Sequence, residues 1–357
     1  MRSPLHAIIA VVLLLAASLV AQQSAPTTAS QAPNSDTSYI DAQGAVHVTR
    51  VVPVPATISP EAQQWLGRAV PDQAPPETLA ERRTHTDAST AAARIAWTKL
   101  CPNQIVESKI AGVPVHIVTP DPMPDANLDK VFINLHGGSF NADSGSYSES
   151  IPIASYAGIK VVAVLYRLAP ENPFPAGVDD AVAVYKELLK TYKPSHIVIY
   201  GTSAGAIMTG EVAVKLKQLG LPMPAALGIF SGIGDFARAG DSASIYSLRG
   251  FSGHLDPVPP GPHDPYYIGN TDPTDPVLSP IYADLHGMPP TLFVTGERDA
   301  LESGTINLHR AFLRAGVDAR LVVFDAMPHA FWYNAQLPES IEASHIMADF
   351  LLSHVSH

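Results

Sequence analysis

A single serine in the chain carries glycine at both −2 and +2, in Gly201-Thr202-Ser203-Ala204-Gly205. The β-branched run Ile197-Val198-Ile199-Tyr200 precedes it and a helical pattern opens at Ala204. Strand, tight turn and helix in that order hold a serine hydroxyl away from a sheet as a nucleophile elbow. Such a hydroxyl is a poor nucleophile until a base takes its proton and a carboxylate orients the base. After an elbow of this kind the acid and then the histidine follow along the chain, each just after a late strand. Thr291–Thr295 runs into Gly296-Glu297-Arg298-Asp299-Ala300-Leu301-Glu302, and Arg320–Phe324 into Asp325-Ala326-Met327-Pro328-His329. His329 is therefore the expected general base and Asp299 the expected acid, with Glu302 its main rival and Glu297 behind it.

Acyl transfer also requires donors for an oxyanion. The run Val131–Leu135 leads into His136-Gly137-Gly138-Ser139-Phe140, whose consecutive glycines allow close backbone approach to a substrate oxygen. The Ala204 N–H, opening the helix after the nucleophile, is a further expected donor. His136 reads as a residue that fixes this loop by hydrogen bonds, with Gly137 as its support.

These residues need a frame. Apolar β-branched runs recur at Val115–Val118, Val131–Leu135, Val161–Leu165, His196–Tyr200, Ala226–Phe230, Thr291–Thr295 and Arg320–Phe324. Helical patterns separate several of them, at Gly177–Tyr192, Ala204–Leu219, Ser303–Ala315 and Pro338–His354. Strands alternating with helices predict a mainly parallel sheet covered on both faces, an α/β fold. Ser59-Pro60-Glu61 predicts a helix start, and a second helix is expected from about Pro76 to Leu100. Between Leu255 and Pro290 ten prolines interrupt the rhythm without a convincing strand. So long an excursion reads as an inserted lid.

Composition narrows the function. Charged residues make up 15% of the 357, and the formal charge of −11 argues against a nucleic-acid partner. One cysteine excludes a disulfide framework and a Cys-based zinc site. Arg2 and His6 precede an apolar run from Ala7 to Val20, too short for the roughly 20 residues of a membrane span. It reads as a signal peptide (residues 1–21) of a bacterial chain, exported to the periplasm or medium with no stable membrane span once mature. Residues 22–55, rich in Ala, Ser, Thr, Gln and Pro, read as a low-complexity linker or arm.

The motifs together resemble the hormone-sensitive-lipase-like family of α/β-hydrolase esterases. His136-Gly137-Gly138-Ser139-Phe140 resembles its HGGG loop, Tyr166-Arg167-Leu168-Ala169-Pro170-Glu171 its YRLAPE segment, and Gly201–Gly205 its GDSAG elbow. The resemblance covers roughly Val115 to His354. It implies the α/β-hydrolase fold: a mostly parallel eight-stranded sheet, helices on both faces, and a helical cap. The cap would combine residues 56–100 with an insertion at 235–284, leaving 101–234 and 285–357 as the catalytic core. It also implies Gly138, Ser139 and Ala204 as oxyanion donors, Arg167 and Glu171 as an internal polar brace, and a homodimer as an assembly open to the chain.

The implied activity is hydrolysis of short- to medium-chain acyl esters through an acyl-enzyme, with a small-molecule ester as substrate and neither metal nor organic cofactor. Trp65, Phe140, Phe236, Phe251 and Trp332 are candidate pocket walls. Three positions depart from the family pattern. Ser139 stands for a third glycine, Thr202 for the aspartate beside the nucleophile, and Asp299-Ala300-Leu301-Glu302 lacks the proline and second aspartate usual there. The alternatives are another acyl bond (lactone, amide or acetylated polysaccharide) and a non-catalytic small-molecule-binding homologue.

Overall fold

A computed structural model describes residues 37–68, 77–251 and 264–355. The signal peptide expected at residues 1–21 lies outside them. Two compact units divide the chain at Pro53 and Val54. In the first, β1 (Thr37–Ile40) and β2 (Val46–Thr49) pair antiparallel with every residue exposed. The stretch expected to be a linker or arm thus contains a hairpin. Its turn is closed by the Asp41 carboxylate, which accepts from the Gln43 and Ala45 N–H groups, an Asx turn.

The second unit begins with α1 (Pro60–Leu66) and α2 (Leu79–Leu100). Ser59 caps the first, its Oγ accepting from Ala62, with proline in the first turn. Thr78 and Glu81 form a capping box that sets the start of the second beyond the expected Pro76. Then follow β3 (Asn103–Ile110), β4 (Val113–Pro120), β5 (Val131–Leu135), α3 (Ser150–Ala157), β6 (Val161–Val164) and α4 (Ala176–Leu188). β7 (Ile197–Thr202), α5 (Ala204–Gln218) and β8 (Ala226–Phe230) complete the first half of the core. After the insertion come β9 (Thr291–Gly296), α8 (Glu302–Arg314), β10 (Ala319–Phe324) and α9 (Pro338–His354).

The eight strands form one sheet in the order β10-β9-β8-β7-β5-β6-β4-β3. All pairings from β10 through β6 are parallel, and the β4 and β3 pairings are antiparallel. The central strands β5, β6, β7 and β8 are buried throughout, as expected of parallel strands covered on both faces. Side chains of α4, α5 and α8 pack one face of the sheet, and those of α3 and α9 the other. Between β8 and β9 the insertion contains α6 (Ser242–Ile245) and α7 (Pro265–Ile268) and no strand among its described residues, which exclude 252–263. Among the described residues no helix is long and apolar enough to cross a membrane.

Candidate active site

Ser203 stands between the end of β7 and the start of α5, with φ 57° and ψ −123°. A non-glycine residue held there is strained, and its N–H bond to the Phe230 carbonyl at 2.9 Å helps hold it. Gly205 permits the turn for a steric reason. A β-carbon there would sit 1.7 Å from the Leu135 carbonyl oxygen of the neighbouring strand. Among the described residues the Ser203 hydroxyl has no hydrogen-bond partner, and no bond joins it to His329 in this structure.

Asp299 follows β9 and His329 follows β10, both at carboxyl ends of adjacent parallel strands, where sheet-based sites collect. The His329 Nδ1–H donates to Asp299 Oδ1 at 3.0 Å and lies 3.1 Å from Oδ2. Asp299 is wholly buried and also accepts from the Leu301 N–H at 2.8 Å. Burial pushes its carboxyl pKa up, but the adjacent His329 ring and the Leu301 N–H outweigh burial and hold it below its ordinary value. Neither rival acid meets the ring. Glu297 accepts from the Ala326 N–H, and Glu302 heads α8, pushed up to about 7 by burial and by the charges of Glu297 and Asp299.

The loop after β5 is held from beneath. The His136 ring is buried, stacks on Tyr166 at 4.2 Å, and donates from Nδ1 to the Gly137 carbonyl. Tyr166 in turn donates to the His136 carbonyl at 2.6 Å. The Gly137 N–H donates to Glu149, a wholly buried carboxyl that also accepts from Tyr333 and Asn134. Burial pushes Glu149 up to about 7 against the opposing pull of those donors. Gly138 has φ 121°, and a β-carbon there would meet the Ala142 carbonyl oxygen at 2.0 Å. Among the described residues the N–H groups of Gly138, Ser139 and Ala204 have no acceptor. Ser139 and Ala204 line a cavity of about 170 Å³ together with Ser203.

Phe140 and Phe236 line that cavity too, with Ile207 and Leu301. The other three candidate walls do not. Trp332 is buried and donates to Thr202 Oγ1 at 3.1 Å, Trp65 packs with the α9 side of the core, and Phe251 lies under the Arg298 guanidinium. A larger cavity of about 470 Å³ runs along α2 between Arg82 and Tyr333, away from Ser203.

The expected brace between Arg167 and Glu171 is absent. Arg167 instead grips Asp180 on α4 at 2.9–3.0 Å, and Glu171 takes the Arg83 guanidinium in a two-pronged pair at 2.7 Å. A carboxylate matches a guanidinium fork wherever the fold brings the two together, and here α4 supplies the partner of Arg167 and α2 that of Glu171. Motifs and spacing also leave Glu149, Arg82 and Tyr267 unmarked. Tyr267 of α7 stacks on Phe140 at 3.5 Å and donates to the buried Glu211 of α5 at 2.5 Å.

Residues 132–333 match a family described as having the alpha/beta hydrolase fold. The chain belongs to this family. It is 34% identical over 229 residues to an acetyl-hydrolase from Streptomyces hygroscopicus, covering 62% of this chain and 75% of the relative. The crystal structure of an esterase E25 superposes with a TM-score of 0.74 at 30% identity, covering 86% of this chain and 98% of that one. An esterase of the bacterial hormone-sensitive lipase family superposes with a TM-score of 0.67 at 32% identity, over 79% and 94%. The hormone-sensitive-lipase-like resemblance thus holds at the level of the fold, and the hydrolase is a carboxylic ester hydrolase.

Proposed function

We propose that this esterase cleaves short- to medium-chain acyl esters by way of an acyl-enzyme on Ser203. The observation that carries the reading is the His329–Asp299 hydrogen bond just past the carboxyl ends of β9 and β10, in the same sheet whose β7 runs into the elbow. His329 takes the Ser203 proton as Oγ attacks the ester carbonyl, while Asp299 fixes the ring tautomer and offsets the charge that the ring gains. The N–H groups of Gly138, Ser139 and Ala204 receive the oxyanion, each such donor being worth about 10²–10³ in turnover. His329 then protonates the leaving alcohol, takes a proton from water, and returns Ser203 as the acid departs.

The cavity of about 170 Å³, walled by Phe140, Phe236 and Ile207, favours a compact apolar acyl group. Export rests on the N-terminal apolar run, and a homodimer rests on the family resemblance alone. N-terminal sequencing of the secreted chain and sedimentation test those two points.

The test of the activity is labelling with a fluorophosphonate, adduct mapping by mass spectrometry, and turnover of p-nitrophenyl acetate, butyrate and octanoate. The adduct is expected on Ser203 and turnover is expected to fall at octanoate. Faster hydrolysis of anilides or acetylated xylan than of any simple ester would contradict the reading.

A further inference from the structure

The loop that offers N–H groups to the oxyanion carries a serine where the family carries a third glycine, and that serine is not idle. Ser139 has φ 51° and Phe140 φ 59°, backbone that glycine adopts without strain and a serine does not. A side chain kept at such a position must be held there. Arg82 of α2 does so: its Nη2 donates to Ser139 Oγ at 3.1 Å while its Nε donates to Asn141 Oδ1 at 3.0 Å. The adjacent Arg83 donates to the Asn141 carbonyl at 2.7 Å and to Ala169 at 3.1 Å, so two consecutive guanidinium groups clasp the loop.

A hydroxyl has one hydrogen to give and two lone pairs to accept with. The Arg82 bond occupies a lone pair and leaves the hydrogen free. Among the described residues that hydrogen has no acceptor, and Ser139 lines the cavity that holds Ser203. A charged donor on Oγ draws electron density from the hydroxyl and makes its hydrogen a better donor, a cooperative effect strongest where water is scarce.

We propose that the Ser139 hydroxyl is a further oxyanion donor, beyond the main-chain N–H groups, with Arg82 as the positioning residue that aims and polarises it. This rests on the esterase reading, in which Ser203 attacks an acyl carbonyl at this loop. As negative charge grows on the carbonyl oxygen, the Ser139 Oγ–H donates to it and the Arg82 guanidinium, one atom further back, offsets the charge. The interaction strengthens only as the oxyanion forms, so it belongs in kcat and not in KM.

The test compares wild type with Ser139→Gly, Ser139→Ala, Arg82→Gln and the Ser139→Gly/Arg82→Gln double variant. Both kcat on p-nitrophenyl acetate and the rate of Ser203 phosphonylation by a fluorophosphonate are read. Ser139→Gly keeps the main-chain N–H and relieves the positive φ, so it stays folded and lost activity is not lost structure. Each single variant is expected to lose at least about tenfold in both rates, up to the roughly 10²–10³ of one fully engaged oxyanion donor. KM should stay within about twofold, and the double variant should lose no more than either single.

Ser139→Gly at the wild-type kcat would overturn the proposal. So would losses that multiply in the double variant, which would mean that Arg82 acts elsewhere, for instance by offsetting Asp264, whose carboxylate lines the same cavity. A wild type that is phosphonylated on Ser203 yet turns over no ester would sink the esterase reading instead, and the phosphonylation ratios would still decide the role of Ser139.

Discussion

Asp299 and Glu302 lie three residues apart where the chain enters α8, and only Asp299 reaches the His329 ring, at 3.0 Å. The two acids differ in environment as well as in reach. Asp299 is wholly buried with its carboxylate hydrogen-bonded to the ring and held below its ordinary value, whereas burial and the like charges of Glu297 and Asp299 push half-buried Glu302 up to about 7. Asp299→Asn should lower kcat by about 10³–10⁴, since an amide leaves the ring in the wrong tautomer. Glu302→Gln should stay within about threefold of wild type. Steady-state kinetics of the two variants check this, and a larger loss in Glu302→Gln would move the acid's role to Glu302.

Glu149 predicts a pH signature in stability. Its folded value is about 7 against 4.5 unperturbed, so between those values the folded chain holds a proton that the unfolded chain has released. Stability from this group therefore falls as pH rises through that window, by about 3 kcal/mol in all. Glu149→Gln is neutral at every pH and should flatten the fall. The amide fits because Asn134 Oδ1 has no partner and can turn to accept from it. Urea unfolding of both proteins at pH 5 and pH 7.5 reads the difference directly. Parallel curves would mean that Glu149 ionises normally.

Tyr267 joins the insertion to the core through two contacts that mutation can separate. Tyr267→Phe keeps the ring stack on Phe140 but leaves the buried Glu211 carboxyl without its hydrogen-bond donor. It should cost about 2 kcal/mol in stability with kcat nearly unchanged. Tyr267→Ala removes both contacts and should lower kcat as well, because Phe140 follows Ser139 in the oxyanion loop. Denaturant titration beside kinetics separates these outcomes.

Gly205→Ala tests the elbow itself. The new methyl would sit 1.7 Å from the Leu135 carbonyl, and the rigid strand β5 cannot withdraw. Loss of soluble folded protein, or at least about 3 kcal/mol of stability, is expected by far-UV circular dichroism on heating.

Much of the fold is legible in the amino-acid sequence. The strands Val131–Leu135 and Ala226–Phe230 and the helix Pro338–His354 fall where the apolar patterns place them, because parallel strands buried on both faces read as nearly continuous apolar runs. The edge strand β3 does not stand out, since its half-exposed Asn-Gln-Ile-Val-Glu-Ser-Lys-Ile lacks a clean apolar face. Helix α3 is hidden by Pro152, which its first turn tolerates. The two strands of the hairpin at Thr37–Thr49 are exposed throughout and bury nothing that a pattern could show. At the site, the motif residues are legible because local spacing defines them. Arg82, Glu149, Tyr267 and Glu211 are not, because each acts on a segment distant in sequence, as Arg82 acts on Ser139 and Tyr333 on Glu149. The same distance separates Arg167 and Glu171 from any pairing that their motif suggests, since their partners Asp180 and Arg83 lie on separate helices.

The most direct test of the central claim is a pre-steady-state burst of p-nitrophenol from p-nitrophenyl acetate, comparing wild type with Ser203→Ala. An acyl-enzyme predicts a burst of about one equivalent in wild type and neither burst nor turnover in the variant. Hydrolysis that survives unchanged in Ser203→Ala would contradict the account.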